Sequence, residues 1–241
     1  LKKLNYKYTS YYLMGVIYIF VGFLFIQRDL GTAAIFIAIY TLIQYVYDEN
    51  RKSILVNIGL MAVGSVTGYF LFSHVRNRVD IWLNPWTADK VVNSARQIVQ
   101  SLFGIGEGGF IGQGIGLGYP KQIAFAYSDV IFSAICEEMG VLTGIGIIML
   151  YMLLVYRAIK IALNQEYLFY RILALSVAIL FTVQAFLNIG GVIKLIPMTG
   201  LTLPFISYGG SSLISSFVAL GILQVTSEDL SYKYEKGVNN E

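Results

Sequence analysis

Three carboxylates lie at the start of, or inside, a single apolar stretch of the sequence, and they are the first candidates for chemistry. Asp129 precedes the run VIFSAIC, and Glu137 and Glu138 follow directly after it. An acidic side chain near the middle of a bilayer costs roughly 2.5–3.5 kcal/mol on insertion scales. Such side chains usually face a bundle interior or a wet cavity, so the pattern indicates a functional site in a membrane protein.

The position of Asp129 allows two interpretations. It can cap the helix that follows, because a carboxylate satisfies free N–H groups at a helix start. It can also act as a general base at the water–lipid boundary. On a continuous helix Glu137 lies about 80° around and ~12 Å deeper, with Glu138 nearly opposite Asp129. At most Glu137 can then support Asp129. Alternatively, Glu137 and Glu138 are structural and form polar contacts between helices.

The composition places the whole chain in a membrane. Hydrophobic residues make up 56% of the 241 residues and charged residues only 13%, and the mean hydropathy is +0.67. A soluble domain carries about 25% charged residues. The single cysteine, Cys136, excludes a disulfide framework, and the single histidine, His74, excludes a metal site built from several histidines.

Apolar windows of about 20 residues predict an all-α, polytopic helix bundle with about six transmembrane helices. The predicted spans are residues 10–27, 31–47, 54–73, 129–159, 168–193 and 212–224. The fourth is too long for one straight crossing, and Gly140, Gly144 and Gly146 offer places to bend. We interpret residues 1–241 as a single membrane domain with a polar tail, 228–241.

The lysines and arginines of the short connections favour a cytoplasmic N-terminus and C-terminus. Asp129, the large loop 74–128 and the segment 195–212 then all lie outside the cytoplasm. The first part of the loop predicts an interfacial helix with Trp82 and Trp86. Its second part is rich in glycine and includes the letters of a dinucleotide fingerprint at 104–109. Because no βαβ unit surrounds these glycines, we interpret them as a flexible or re-entrant loop.

The segment 195–212 combines prolines, glycines and hydroxyl groups. Pro197 and Pro204 break helical structure at membrane depth, which is tolerated only against protein or a wet cavity. Gly209, Gly210, Ser211 and Ser212 open the last predicted helix. The free N–H groups of a helix start form an anion site suited to phosphate, although a tight loop between two spans explains the same residues.

Four stretches together resemble one family. They are RDLGTA at 28–33, RVDIWLNPW at 78–86, GGFIGQGIGLG with SDVIFSAICEEMG at 108–140, and NIGGVIKLIPMTGLTLPFISYGGSS at 188–212. The chain is similar to the SEDS family, which includes FtsW, RodA and SpoVE. Members usually have ten spans, and these six resemble the last six. We therefore expect an N-terminal truncation, which leaves open whether this chain alone is active.

The resemblance implies a peptidoglycan glycosyltransferase of the bacterial cytoplasmic membrane, active in cell division or cell-shape maintenance. It would polymerise lipid II at the outer face, next to a class B penicillin-binding protein and membrane lipid, without nucleic acid. The family's essential aspartate corresponds to Asp129. The residue pattern itself, and not the resemblance, adds Glu137 and Glu138 as candidate supporting carboxylates. The candidates for binding substrate or diphosphate are Arg78, Arg96, Lys121, Lys194, Ser207, Gly209, Gly210, Ser211 and Ser212.

The chain departs from the family pattern at three positions near these motifs. Tyr127 and Ser128 stand where His and Thr are common, and Arg28 stands where Pro is common. One base and a displaced diphosphate predict inversion at the anomeric carbon. No cofactor is predicted, and a divalent cation near the diphosphate stays open.

Two other classes of function fit the same residues. Buried carboxylates and a broken outer segment also suit proton-coupled lipid flipping by a transporter. A non-catalytic membrane scaffold for a penicillin-binding protein is the third possibility.

Overall fold

The computed structural model describes residues 6–47, 51–87, 90–91, 94–118 and 125–238, with backbone only for 6–10, 30, 51 and 228–238. Within these ranges the regular elements are all helices, which confirms the all-α prediction. Eight helices are defined there: α1 Tyr6–Ile26, α2 Leu30–Tyr47, α3 Arg51–Leu71, α4 Ser73–Leu83, α5 Arg96–Gly108, α6 Ile131–Asn164, α7 Leu168–Val192 and α8 Gly210–Val238.

Within the described ranges, four helices are long and apolar enough to cross a membrane. Their spans are Lys52–Leu71, Ile131–Asn164, Leu168–Val192 and Gly210–Ser227. The first two predicted spans are helices whose apolar stretches, Tyr11–Ile26 and Gly31–Tyr47, are shorter. The polytopic architecture is confirmed, and the number six stays a prediction. The chain forms two compact units, residues 1–83 and 84–241, and the single-domain interpretation also stays a prediction.

The turn between α1 and α2 explains the RDLGT stretch. Arg28 is left-handed (φ 65°), and the Asp29 N–H donates to the Leu24 carbonyl at 3.0 Å, which closes α1 as a Schellman motif does. Asp29 then caps α2, because its carboxylate accepts from the Thr32 N–H at 3.0 Å and from the Thr32 hydroxyl at 2.6 Å. A proline holds φ at about −65°, so it does not fit this turn at position 28.

A buried polar network joins α1, α2 and α3 inside the first unit. The fully buried Asn57 donates from Nδ2 to Thr41 Oγ1 and Gln44 Oε1, both at 3.0 Å. The Tyr18 hydroxyl donates to Asn57 Oδ1 at 2.6 Å. Gln44 in turn donates from Nε2 to the buried Ser53 hydroxyl at 3.1 Å. Hydrogen bonds between helices are a common way to hold membrane bundles together.

We expect the substitution Asn57→Leu to lower the free energy of unfolding by about 2 kcal/mol, because interhelical hydrogen bonds in membrane proteins average ~0.6 kcal/mol and the side chain makes three. Denaturant titration of the purified protein in detergent measures the change. Thr67→Ala is the control, since the Thr67 hydroxyl donates within its own helix, to the Val63 carbonyl at 2.6 Å. An equal loss in both variants would contradict a special role for the network.

In the second unit, α6 and α7 form the centre, and both contact α5 and α8. Two buried clusters fill their interface. The first, under the start of α6, contains Val130, Phe132, Cys136, Tyr151, Ala185, Ile189, Val192 and Leu203. The second includes Ala158, Ala162, Ala174, Ala178 and Phe181, and its alanines let the helix backbones approach closely.

The helix α6 is broken at Gly140, one of the three glycines at which the sequence predicted a bend. Gly140 has φ 84° and ψ 163°, a combination open almost only to glycine. Gly144 and Gly146 remain helical. At such a break, the carbonyls before it and the N–H groups after it lose their hydrogen bonds within the helix and need other partners.

Residues 109–114, which we call the inserted segment, fill the break with their own backbone. Four hydrogen bonds connect it to α6: Gln113 N–H to Glu137 O at 3.0 Å, Gly114 N–H to Glu138 O at 2.9 Å, Val141 N–H to Gly109 O at 2.9 Å, and Leu142 N–H to Phe110 O at 3.3 Å. The freed groups of α6 are thereby satisfied. The interpretation of the glycines at 104–109 as a loop is therefore wrong for Gly104, Gly106 and Gly108, which lie in α5. Only the residues after α5 leave helical structure and pack their backbone against α6.

Candidate functional site

Asp129 lies in the turn that leads into α6, and its side chain is half-buried. The N-cap position of α6 is occupied by Val130, which has φ −121° and makes no side-chain cap hydrogen bond. Asp129 therefore lies one residue before the N-cap position, and both interpretations of its carboxylate stay predictions. The turn before it is tight, because Phe125 is left-handed (φ 60°) and accepts from the Ser128 N–H at 3.0 Å.

Three successive carbonyls of this turn accept hydrogen bonds from later parts of the chain. The donors and acceptors are Tyr208 N–H to Tyr127 O at 2.8 Å, Ser207 Oγ to Ser128 O at 2.6 Å, and Asn188 Nδ2 to Asp129 O at 2.8 Å. The rings of Tyr127 and Tyr208 also meet edge to face at 6.0 Å. The turn that carries Asp129 is therefore held against α7 and the segment before α8.

The carboxylates of Glu137 and Glu138 lie next to Gly116 and Gly118, which follow the inserted segment. Glu137 is buried, with 2% of its surface exposed. Its Oε1 lies beside Gly118: a Cβ added to Gly118 would be 3.1 Å from this oxygen. Glu138 accepts a hydrogen bond from the Gly116 N–H at 3.2 Å. These contacts agree with a role in holding the loop, while support of Asp129 by Glu137 stays a prediction.

The segment between α7 and α8 ends at an open helix start. Leu213 N–H donates to the Gly209 carbonyl at 2.9 Å, so Gly209 precedes the first turn of α8. The N–H groups of residues 210–212 have no carbonyl within the helix to which they can donate. Ser211 is exposed, and the Ser212 hydroxyl shares a 2.7 Å hydrogen bond with Thr202. The helix start that the sequence predicted is present, and anion binding at it stays a prediction.

Ser207 is placed differently from the glycine–serine turn. Its side chain is buried, with 7% exposed. Its hydroxyl accepts from the Leu203 N–H at 2.7 Å and donates to the Ser128 carbonyl. Both hydrogen bonds are internal to the protein, so the hydroxyl serves the fold of the site.

The four predicted cations are spread along the chain. Arg96 is exposed at the first position of α5, and Lys194 is half-buried and left-handed (φ 62°) just after α7. Arg78 lies on α4 in the first unit. Lys121 lies outside the described residues. Binding of substrate by any of them stays a prediction.

Arg78 belongs to a group of basic residues in the first unit. Burial of the His74 ring, followed by the nearby charges of Arg28 and Arg78, lowers the pKa of His74. The imidazole is therefore held neutral near pH 7, and the positive charge of this region comes from the arginines. Arg76 lies on the same helix as Arg78; its guanidinium donates to the Phe70 carbonyl at 2.9 Å and lies 5.9 Å from the Tyr69 ring centroid.

An apolar groove of about 480 Å³ runs between α6 and α7. Tyr151 and Ile189, which also belong to the cluster under the Asp129 turn, are among its lining residues. Among the described residues, no three His, Cys, Asp or Glu side chains are grouped as ligands of a metal ion. The letters of the dinucleotide fingerprint fall within and just after α5, without a preceding strand in the described ranges.

Asn188 is the residue at this site that the sequence did not single out. It lies in the apolar run of α7, is 4% exposed, and donates to the Leu201 carbonyl at 2.5 Å as well as to Asp129. An asparagine inside a membrane-length helix was the available signal, because a buried amide at such depth needs partners.

The sequence matches the FtsW/RodA/SpoVE family, described as cell cycle proteins, over residues 2–232. It is 36% identical over 203 residues to the peptidoglycan glycosyltransferase RodA of Mycobacterium tuberculosis strain H37Rv, covering 84% of this chain and 43% of the relative. It is 38% identical over 215 residues to the probable peptidoglycan glycosyltransferase FtsW of Geobacter metallireducens, covering 87% and 56%.

Two further comparisons agree with these matches. Stage V sporulation protein E of Bacillus subtilis is 36% identical over 210 residues, covering 85% of this chain and 57% of that protein. A solved structure described as "Structural coordination of polymerization and crosslinking by a peptidoglycan synthase complex" matches with a TM-score of 0.71 and 29% identity, covering 87% of this chain and 58% of that chain. The chain spans about half the length of the curated relatives it matches.

Proposed function

Because this chain belongs to the FtsW/RodA/SpoVE family of cell cycle proteins, we propose that it acts as a peptidoglycan glycosyltransferase. In this proposal it polymerises lipid II into glycan strands at the outer face of the bacterial cytoplasmic membrane. The names of two relatives, at 36% and 38% identity, support the reaction class. The single observation that carries it is a half-buried carboxylate, Asp129, anchored at the start of a membrane-length helix.

Asp129 is proposed as the general base. The 4-hydroxyl of the acceptor sugar must lose a proton while its oxygen attacks the anomeric carbon of the donor, and a positioned carboxylate can take that proton. The bond between the anomeric carbon and the diphosphate breaks as the new glycosidic bond forms. A single displacement of this kind inverts the configuration at that carbon.

The start of α8 and the Lys194 ammonium are proposed to stabilise the leaving diphosphate. Tyr208 precedes Gly210, the first residue of α8, by two residues, and its N–H donates to the carbonyl of Tyr127, two residues before Asp129. Two residues reach at most about 7 Å along the chain, so Gly210 and Asp129 each lie within about that distance of this hydrogen bond. Donors aimed at developing negative charge are a large source of catalysis.

The membrane setting follows from the same proposal. Both termini of the chain are proposed to lie in the cytoplasm and Asp129 outside, where the substrate's sugars are polymerised. The apolar groove between α6 and α7 offers a surface for a polyprenyl chain. A class B penicillin-binding protein is the proposed partner, which the description of the similar solved structure as a polymerising and crosslinking complex supports.

The test is polymerisation of purified lipid II by the intact gene product in vesicles, with and without the transpeptidase. We expect glycan strands whose new linkages, read by NMR, have the anomeric configuration opposite to that of the donor. A folded, membrane-inserted protein that gives no polymer under any of these conditions would contradict the proposed function. Retained configuration would contradict the single displacement.

Lipid flipping is the second candidate, and the broken helix α6 favours it. Transporters often bind substrate at discontinuous helices near the bilayer midplane, and Gly140 interrupts α6 in that manner. Vesicles loaded with fluorescent lipid II separate the two functions. Translocation of the lipid without polymer would favour the transporter.

A further inference from the structure

The backbone on both sides of Asp129 is anchored by side chains from two other elements. Ser207 donates to the Ser128 carbonyl at 2.6 Å, and Asn188 donates to the Asp129 carbonyl at 2.8 Å. The first carbonyl belongs to the peptide plane before the Asp129 Cα, and the second belongs to the plane after it. Because peptide planes are rigid, holding both planes fixes φ and ψ of Asp129 together.

We propose that Asn188 and Ser207 are positioning residues that set the direction of the Asp129 Cα–Cβ bond. This inference rests on the proposed function of Asp129 as the base, and it names the groups that hold the base in its productive position. A general base must lie within hydrogen-bond reach of the proton it takes. Two soft dihedrals at Asp129 would otherwise let the carboxylate swing away from that position.

The side chain of Asn188 has only one orientation that fits. Its Nδ2 donates to the carbonyls of Asp129 and Leu201, at 2.8 and 2.5 Å. The reversed amide would direct Oδ1 at two carbonyl oxygens, which can only accept. In the observed orientation the buried Oδ1 makes no hydrogen bond within the described part of the chain. An asparagine that leaves an acceptor unsatisfied costs stability, which indicates that its two donor bonds serve the site.

Ser207 is equally constrained. Its Oγ accepts from the Leu203 N–H at 2.7 Å and donates to Ser128, so the direction of the hydroxyl proton is determined by the first bond. Leu203 is fully buried in the cluster under the Asp129 turn. The hydroxyl thereby ties the peptide before Asp129 to a rigid part of the core.

The experiment compares polymerisation of lipid II by the intact protein with that of Asn188→Leu and Ser207→Ala. We expect kcat to fall by about 100-fold in each, the order of loss that ~1 Å of misplacement causes. Affinity for fluorescent lipid II, measured by titration, should be nearly unchanged, and kcat is normalised to these binding sites. The double variant should lose little more than either single variant, because releasing one plane already frees the carboxylate.

Two variants separate positioning from a general loss of structure. Ser207→Thr keeps the hydroxyl and should recover most of the rate. Gln184→Leu removes a hydrogen bond of the same kind, Nε2 to the Thr202 carbonyl at 3.1 Å, one turn before Asn188 on α7. It leaves both peptide planes of Asp129 held, so we expect nearly native kcat. Melting temperatures identify any variant that is not folded.

Three results would overturn the proposal. One is native kcat in both Asn188→Leu and Ser207→Ala while Asp129→Asn is inactive, which would leave the proposed function intact. Another is a loss in Gln184→Leu equal to that in Asn188→Leu, which would indicate a general packing effect. The third is an unsubstituted, folded protein that makes no polymer, in which case the proposed function falls as well.

Discussion

Asp129→Asn is expected to lower the rate of glycan polymerisation by about 10²–10⁴-fold, the range that a positioned general base contributes. Asparagine has nearly the same size as aspartate, so the turn before α6 keeps its hydrogen bonds. The amide cannot take a proton from the acceptor hydroxyl at neutral pH. Gel analysis of glycan strands made by the intact protein from purified lipid II measures the effect.

Two further variants test whether the effect depends on the position of the Asp129 carboxylate. Asp129→Glu keeps a carboxylate but moves it outward, and misplacement by ~1 Å costs on the order of 100-fold in rate. Asp29→Asn is the matched control, because asparagine also caps a helix and the Asp29 carboxylate caps α2 through Thr32. Native rates in Asp129→Asn would defeat the assignment of the base, and a loss in Asp29→Asn would show that the assay responds to charge in general.

Gly140→Ala and Gly112→Ala are expected to destabilise the protein enough to reduce its folded yield. Conformations open almost only to glycine cost about 1–3 kcal/mol for other residues, and both positions have such a positive φ, 84° and 90°. An added Cβ would also overlap the carbonyl oxygen of Phe110 or Glu138. Backbone must then move, and the hydrogen bonds between the inserted segment and α6 weaken by about 1 kcal/mol each.

Gly106→Ala is the control for this prediction. Gly106 is helical in α5 and has open space around its Cα, so alanine should stabilise the helix by about 0.5–1 kcal/mol. Thermal unfolding of the purified variants in detergent compares the three. Equal melting temperatures for Gly140→Ala and the unsubstituted protein would contradict the role of the break.

The sequence predicts the helices well because burial in lipid leaves a signal in every window. Apolar runs locate α6 and α7 to within about five residues of their observed bounds. They also locate the start of α8, but this helix continues through much of the predicted polar tail to Val238, well beyond its predicted end at 224. The bend in α6 is predicted only as a choice among three glycines. What selects Gly140 is the backbone of residues 109–110, which is distant along the chain and packs against the break. Hydropathy contains no information about such a partner.

The site is predicted less completely than the fold. The sequence alone marks Asp129 and the start of α8 as candidates. Asp129 is a carboxylate next to an apolar run, and the start of α8 is a glycine–serine turn. In the sequence, Ser207 cannot be distinguished from the other serines of its motif. In the structure its hydroxyl hydrogen-bonds to the backbone of Leu203 and Ser128. Asn188 lies 59 residues from its partner. Only the three-dimensional arrangement assigns these two side chains to the backbone of Asp129.

Because residues 109–114 precede α6 in the sequence, the order of synthesis determines the order in which the contacts around Asp129 can form. These residues leave the ribosome before the broken helix does, so its unsatisfied carbonyls meet a partner that already exists. Asn188 follows Asp129 by 59 residues, and at about 5–20 residues per second it emerges several seconds later. A nascent chain therefore contains the inserted segment before it contains Asn188. A chain stalled between α6 and α7 would lack one of the two side chains that are proposed to position Asp129.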